Sequence, residues 1–121
     1  GFDLSENTVY EARKILPNIE FKVSDIYDTP HSDNEFDIVL CSEIFEHLKR
    51  PEKALVELNR LSKKFLIITV PNEPWFCLGN FLSGKNIVQF GNPIDHINHW
   101  NYCNFKQFLQ KFFRGGGNTN I

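Results

Sequence analysis

Phe36-Asp37-Ile38-Val39-Leu40-Cys41-Ser42-Glu43-Ile44-Phe45-Glu46-His47-Leu48 is the stretch on which the reading of this chain turns. Residues 36–41 form a short apolar run, which suits a strand buried on both faces. Downstream, Pro51 fits the first position of a helix. Ala54, Leu55, Leu58 and Leu61 then repeat at helical spacing as one apolar stripe. Residues 65–70 read as a second buried strand, stopped by Pro71. Residues 73–100 are irregular and aromatic, and Phe105, Phe108, Leu109, Phe112 and Phe113 mark a last helix. Upstream, residues 28–35 are polar and turn-rich around Pro30. Ile19, Phe21 and Val23 alternate like a strand. Before them, Ser5 caps a helix carrying Val9, Ala12, Ile15 and Leu16, which Pro17-Asn18 ends.

Helix, strand, helix, strand, long loop, helix is the order of an α/β protein with a parallel sheet and helical crossovers. Ligands of such sheets bind at the C-terminal ends of the strands. Those ends are Asp3, Asp25, residues 41–47 and Pro71-Asn72. With 121 residues, 41% of them hydrophobic and 12 Phe, the chain has material for one domain. We place that domain at residues 1–114 and a flexible, Gly-rich tail at 115–121. A net charge of -2 argues against nucleic-acid binding through bulk charge. Cys41, Cys77 and Cys103 are too few and too scattered for a zinc ribbon or a disulfide scaffold, so a reduced, cytoplasmic setting is expected. No apolar run is long enough to span a membrane. The opening Gly1-Phe2-Asp3 and the lack of any Met suggest a segment of a longer protein.

The strand ends carry the chemistry. A carboxylate at Asp3 can accept two hydrogen bonds from a ribose diol, or can simply favour a helix N-terminus. Asp25 can accept a bond from an exocyclic adenine amine, or can serve as a turn residue. If residues 43–47 form a helical turn, Glu43 lies one turn from both Glu46 and His47. With His96 from the long loop, two carboxylates and two imidazoles would suit a divalent ion such as Mg, Mn or Zn. Alternatively, Glu46 and His47 are hydrogen-bonded supports. His99 is another ligand or a base, or a loop residue packed on Trp100. Trp75, Phe76, Phe81 and Phe90 either shape an apolar substrate pocket or form the loop's own small core.

In order and spacing these pieces resemble class I S-adenosylmethionine-dependent methyltransferases, in the large group with Glu-x-x-Glu-His after the fourth strand. The matching residues are the quoted stretch with Pro51 and Ala54-Leu55, then Val70-Pro71-Asn72, then Asp95-His96-Ile97-Asn98-His99-Trp100 and Phe105. The resemblance covers about residues 1–113. It implies a Rossmann-like methyltransferase fold, mostly parallel, with helices on both faces. It also implies S-adenosylmethionine as cofactor. Asp3 would hold the ribose, Asp25 and the backbone of Ile26 would meet adenine, and Cys41 and Ser42 would line the methionine end. The group's first strand and Gly-x-Gly-x-Gly loop would stand before Asp3, so the chain is expected to lack them.

Methyl transfer to oxygen needs alignment, exclusion of water and sometimes a base or metal. His96, His99 and His47 are the candidates for the base. Small-RNA 2′-O-methyltransferases and some quinone-pathway O-methyltransferases resemble this pattern with a metal, and a metal is therefore expected as an option. The leading expectation is methyl transfer to a small-molecule acceptor at oxygen. A nicotinamide-dependent oxidoreductase would also use Asp3, but leaves Glu-x-x-Glu-His unexplained. A catalytically incompetent interaction fragment is the third reading, and oligomeric state is not legible.

Overall fold

The computed structural model describes residues 1–72 and 97–115. Its elements run β1 (Phe2–Asp3), α1 (Glu6–Ile15), β2 (Lys22–Val23), β3 (Phe36–Ser42), a 3-10 turn (Phe45–His47), α2 (Pro51–Leu61), β4 (Ser62–Thr69) and α3 (Tyr102–Gly115). The alternation of helix and strand is the one expected for an α/β fold.

The chain divides into two compact units, Gly1–Val39 with Lys53–Leu66, and Leu40–Glu52 with the described residues from Ile67 onward. In the first, β1 and β2 pair in parallel, Phe2 against Lys22 and Asp3 against Val23. α1 provides the crossover between them. Ser5 caps it as expected, its Oγ accepting the Thr8 N–H at 3.2 Å. The apolar stripe of α2 is buried throughout: Ala54, Leu55, Leu58 and Leu61, joined by Val9 and Val39.

β3 pairs with β4. Near their starts Lys64 meets Asp37 at 2.9 Å, and at their ends the Glu43 N–H donates to the Thr69 carbonyl at 3.1 Å. Both contacts match start to start and end to end, so these strands are parallel too.

Three expectations are corrected. Residues 36–41 and 65–70 were expected to be buried on both faces, yet Val39 and Cys41 are buried while Ile38, Leu40, Phe65 and Ile67 are exposed. An apolar run shows only that a strand could be covered on both sides, and here side chains alternate across the pleat. β4 also begins at Ser62, three residues before its apolar run, because backbone pairing does not depend on side-chain polarity. On α1 only Val9 is buried, and Ile15 and Leu16 are exposed.

A polar cluster in the first unit was not anticipated. Glu57 Oε1 accepts both the N–H and the hydroxyl of Thr29, at 2.9 and 2.7 Å. Arg60 donates to both Glu57 oxygens, at 2.8 and 2.6 Å, and to Asp33 Oδ1 and the His31 carbonyl. The Asn34 N–H, in left-handed backbone at φ 54° that Asn tolerates, closes onto the Arg60 carbonyl. These bonds tie the turn-rich segment 29–34 onto α2.

Candidate functional site

At the C-terminal edge of the β1–β2 pair stand Asp3 and Asp25, the two carboxylates singled out in the sequence. The Ser24 N–H donates to the Asp3 carbonyl at 3.0 Å, so the ladder extends to the residue before Asp25. Asp3 Oδ1 accepts the Ser5 N–H at 2.8 Å, and Asp25 Oδ1 accepts the Tyr27 N–H at 2.9 Å. Each side chain is thus turned by the backbone two residues on, an Asx turn that fixes the carboxylate at the strand end. Both residues are exposed, and Ile26 beside Asp25 is half-buried. Two oriented, accessible carboxylates have the chemistry to accept hydrogen bonds from the hydroxyl or amine groups of a ligand. The turn role and the ligand role are compatible, because each carboxylate oxygen has more than one lone pair.

In the second unit the end of β3 is organised around Thr69, a residue the sequence did not single out. Its hydroxyl lies 2.8 Å from Ser42 Oγ and donates to Glu43 Oε1 at 3.1 Å. Glu43 has φ 53°, in the left-handed region that costs a non-glycine residue of order 1 kcal/mol. The Thr69 hydroxyl and the backbone bond to the Thr69 carbonyl hold it there. Cys41, one residue before Ser42, is buried. Burial, and then the nearby Glu46 charge, push its thiol up to about 11. It is a neutral thiol at ordinary pH and not a nucleophile.

The proposed metal set does not assemble as expected. Helical geometry begins only at Phe45, so Glu43 is not one turn below Glu46 and His47. Glu43 faces Thr69 instead, while Glu46 is 1% exposed and His47 is exposed. His47 Nε2 stands 4.0 Å from Glu46 Oε1. Among the described residues no three His, Cys, Asp or Glu side chains gather around a point where a metal ion could sit. The physical reason is the left-handed Glu43, which breaks the helical register on which the set depended. His96 lies outside the described residues, as do Trp75, Phe76, Phe81 and Phe90 of the anticipated apolar pocket.

His99, the other candidate base, is exposed, and its carbonyl accepts the Asn104 side chain at 2.9 Å. Its neighbour Asn98 was missed. The Ile97 and Asn98 N–H groups both donate to the Glu46 carbonyl, at 2.8 and 2.9 Å. Asn98 Nδ2 donates to the carbonyls of Phe45 and Leu48, at 3.0 and 2.6 Å. One asparagine therefore satisfies three carbonyls of the turn that bears Glu46 and His47. Trp100, Phe45, Phe105 and Phe108 complete this support with ring centroids 5.1–6.3 Å apart. The only signal in the sequence was the Asn between two histidines.

Comparison with known proteins bears on the family and the fold. A family model described as a methyltransferase domain matches residues 1–67, more than half of the chain. An uncharacterized methyltransferase of Schizosaccharomyces pombe is 46% identical over 48 residues, which is 40% of this chain and 17% of that protein. Among solved structures, a methyltransferase-assigned protein of Bacillus halodurans C-125 superposes with a TM-score of 0.64 at 23% identity. That match covers 92% of this chain and 50% of the other. A chain from the complex between the Haloferax volcanii Trm112 methyltransferase activator and a methyltransferase gives a TM-score of 0.69 at 22% identity. It covers 93% of this chain and 48% of its own length. At these identities the two structures show a shared fold, the Rossmann-like one. The present chain spans about half the length of each.

Proposed function

Because this chain belongs to the methyltransferase domain family, we propose that it is part of an S-adenosylmethionine-dependent enzyme that methylates a small-molecule acceptor at oxygen. The observation that carries the reading is the pair of backbone-oriented carboxylates, Asp3 and Asp25, at adjacent strand ends inside the family-matched stretch. In this reading Asp3 receives the ribose hydroxyls and Asp25 the adenine amine, with the Ile26 backbone beside it. Cys41 and Ser42 line the methionine end. A thiol held neutral suits that place, since it neither attacks the methyl group nor adds charge beside a sulfonium.

S-Adenosylmethionine supplies a methyl group on a sulfur that is already activated. The protein has to align the acceptor with it, keep water out and take up the acceptor's proton. His99, His96 and His47 are the residues proposed for that proton. A cytoplasmic location is part of the same proposal. No helix among the described residues is long and apolar enough to cross a membrane.

Titration calorimetry of the intact protein with S-adenosylmethionine tests the reading. Binding is expected, with Asp3→Ala weakening it by about 1–3 kcal/mol, the usual cost of leaving polar partners unpaired. Unchanged affinity in the variant would remove Asp3 from the ribose. Absence of any binding by the intact protein would remove the methyltransferase activity.

A further inference from the structure

Three polar side chains meet where β3 and β4 end, and their protons fix the direction of both bonds between them. The Thr69 hydroxyl donates to Glu43 Oε1 at 3.1 Å and lies 2.8 Å from Ser42 Oγ. A carboxylate accepts and does not donate, and a hydroxyl has a single proton. Thr69 gives that proton to Glu43, so the bond to Ser42 forms only with Ser42 as donor. Both bonds therefore run one way, from Ser42 through Thr69 to Glu43. The backbone holds the same three residues together. Glu43 is in left-handed backbone at φ 53°, its N–H donates to the Thr69 carbonyl at 3.1 Å, and its carboxylate returns to the Thr69 hydroxyl. All three belong to one compact unit.

The consequence falls on Ser42, which is exposed. Its proton is turned towards Thr69, so an adjoining ligand meets the lone pairs of Oγ. A chain of hydrogen bonds that ends on a carboxylate also polarises each oxygen along it and makes the first a better acceptor. We infer that Ser42 accepts a hydrogen bond from the ammonium group at the methionine end of the cofactor, and that Thr69 is the positioning residue that fixes Ser42 as an acceptor. Given the reading that Ser42 lines the methionine end, on which this assignment rests, the ammonium is selected over the carboxylate of the same end. The ammonium brings protons and positive charge to Ser42. The carboxylate would bring lone pairs against lone pairs, with the Glu43 charge behind them.

Titration calorimetry on the intact protein tests this with three probes: S-adenosylhomocysteine, its analogue without the amino group, and its analogue without the carboxylate. Removing the amino group is expected to weaken binding to wild type by about tenfold or more, the scale of one charge-assisted hydrogen bond. Ser42→Ala should abolish most of that penalty. Thr69→Val keeps the shape of the side chain but removes the acceptor of the Ser42 proton. It should shrink the amine penalty likewise, with little change in affinity for the amine-free probe. Thr69→Ser keeps the hydroxyl and should restore the penalty. A merely structural role for Thr69 would lower the affinity for all three probes together and leave their ratios as in wild type. If S-adenosylhomocysteine binds and both Ser42→Ala and Thr69→Val keep the full amine penalty, the methyltransferase reading stands and the present assignment is overturned. A penalty lost in Ser42→Ala but kept in Thr69→Val would leave Ser42 at the amine and overturn the role of Thr69. If the intact protein binds none of the probes, the methyltransferase reading falls and this assignment with it.

Discussion

Cys41 and Cys103 have opposite surroundings. Cys41 sits on β3, 3% exposed, beside the Glu46 carboxylate, with its thiol pushed up to about 11 by burial first and that charge second. Cys103 is exposed at the start of α3. Alkylating agents react with the thiolate, so at pH 8 Cys41 offers roughly one reactive form in a thousand, behind a closed surface. Iodoacetamide on the folded chain is therefore expected to label Cys103 and to spare Cys41 until denaturant is added. Peptide mass spectrometry reads this directly, and equal labelling of both before denaturation would show that position 41 is not enclosed. The protection matters for the proposed chemistry, because a reactive thiolate beside a methyl donor would be methylated itself.

Between elements, α2 and the segment before β3 are joined by charge as well as by packing. Arg60 holds the Glu57 carboxyl down to about 2, chiefly through its hydrogen bonds, with Thr29 adding to the effect against the opposing cost of burial. A carboxylate whose value is lowered on folding contributes stability above its unfolded value of about 4.5, and that contribution is lost as pH falls towards 2. Acid titration of thermal stability should therefore steepen through this window. Glu57→Gln should flatten it and cost about 1–3 kcal/mol at neutral pH, with partial solvent screening of Arg60 keeping the figure modest. A variant with the wild-type acid profile would mean that the Glu57–Arg60 pair is not formed in solution. Glu35, lowered by the Ser32 N–H and then by His31, titrates in the same direction on the same segment.

Among the described residues many large apolar side chains are exposed. In the first unit Leu4, Ile15, Ile38 and Phe65 are all more than half exposed, and in the second Leu40 and Ile97 are. Scattered apolar residues are ordinary on a protein surface, but strands with one bare apolar face are not. This chain is expected to bind an apolar fluorescent dye at neutral pH with blue-shifted emission, and Phe65→Lys should reduce the signal without lowering helix content by circular dichroism. Dye emission equal to that in buffer would contradict the exposure of β3 and β4. The same measurement on the intact protein shows whether those faces are covered there.

The amino-acid sequence determined the kinds of element and their order, because each is written in local terms. Ser5 caps α1, Pro51 opens α2, four apolar residues at helical spacing bury its stripe, and Asp3 and Asp25 fall at strand ends. These depend on neighbours a few positions away. It also carried the family resemblance through the Glu-x-x-Glu-His stretch, whose spacing survives without any knowledge of contacts. What only the tertiary structure decided concerns partners far apart in the chain. Thr29 and Glu57 stand 28 positions apart, Ser42 and Thr69 27, and Phe45 and Asn98 53, and no periodicity pairs them. The left-handed backbone at Glu43 was equally invisible, since glutamate has no preference for it and its Thr69 partner stands 26 positions away. That single angle is what dissolved the anticipated metal turn. Whether an apolar strand face is covered was beyond the sequence for the same reason. Hydrophobicity states what a residue would gain by burial, and only the packed chain supplies, or fails to supply, the surface that buries it.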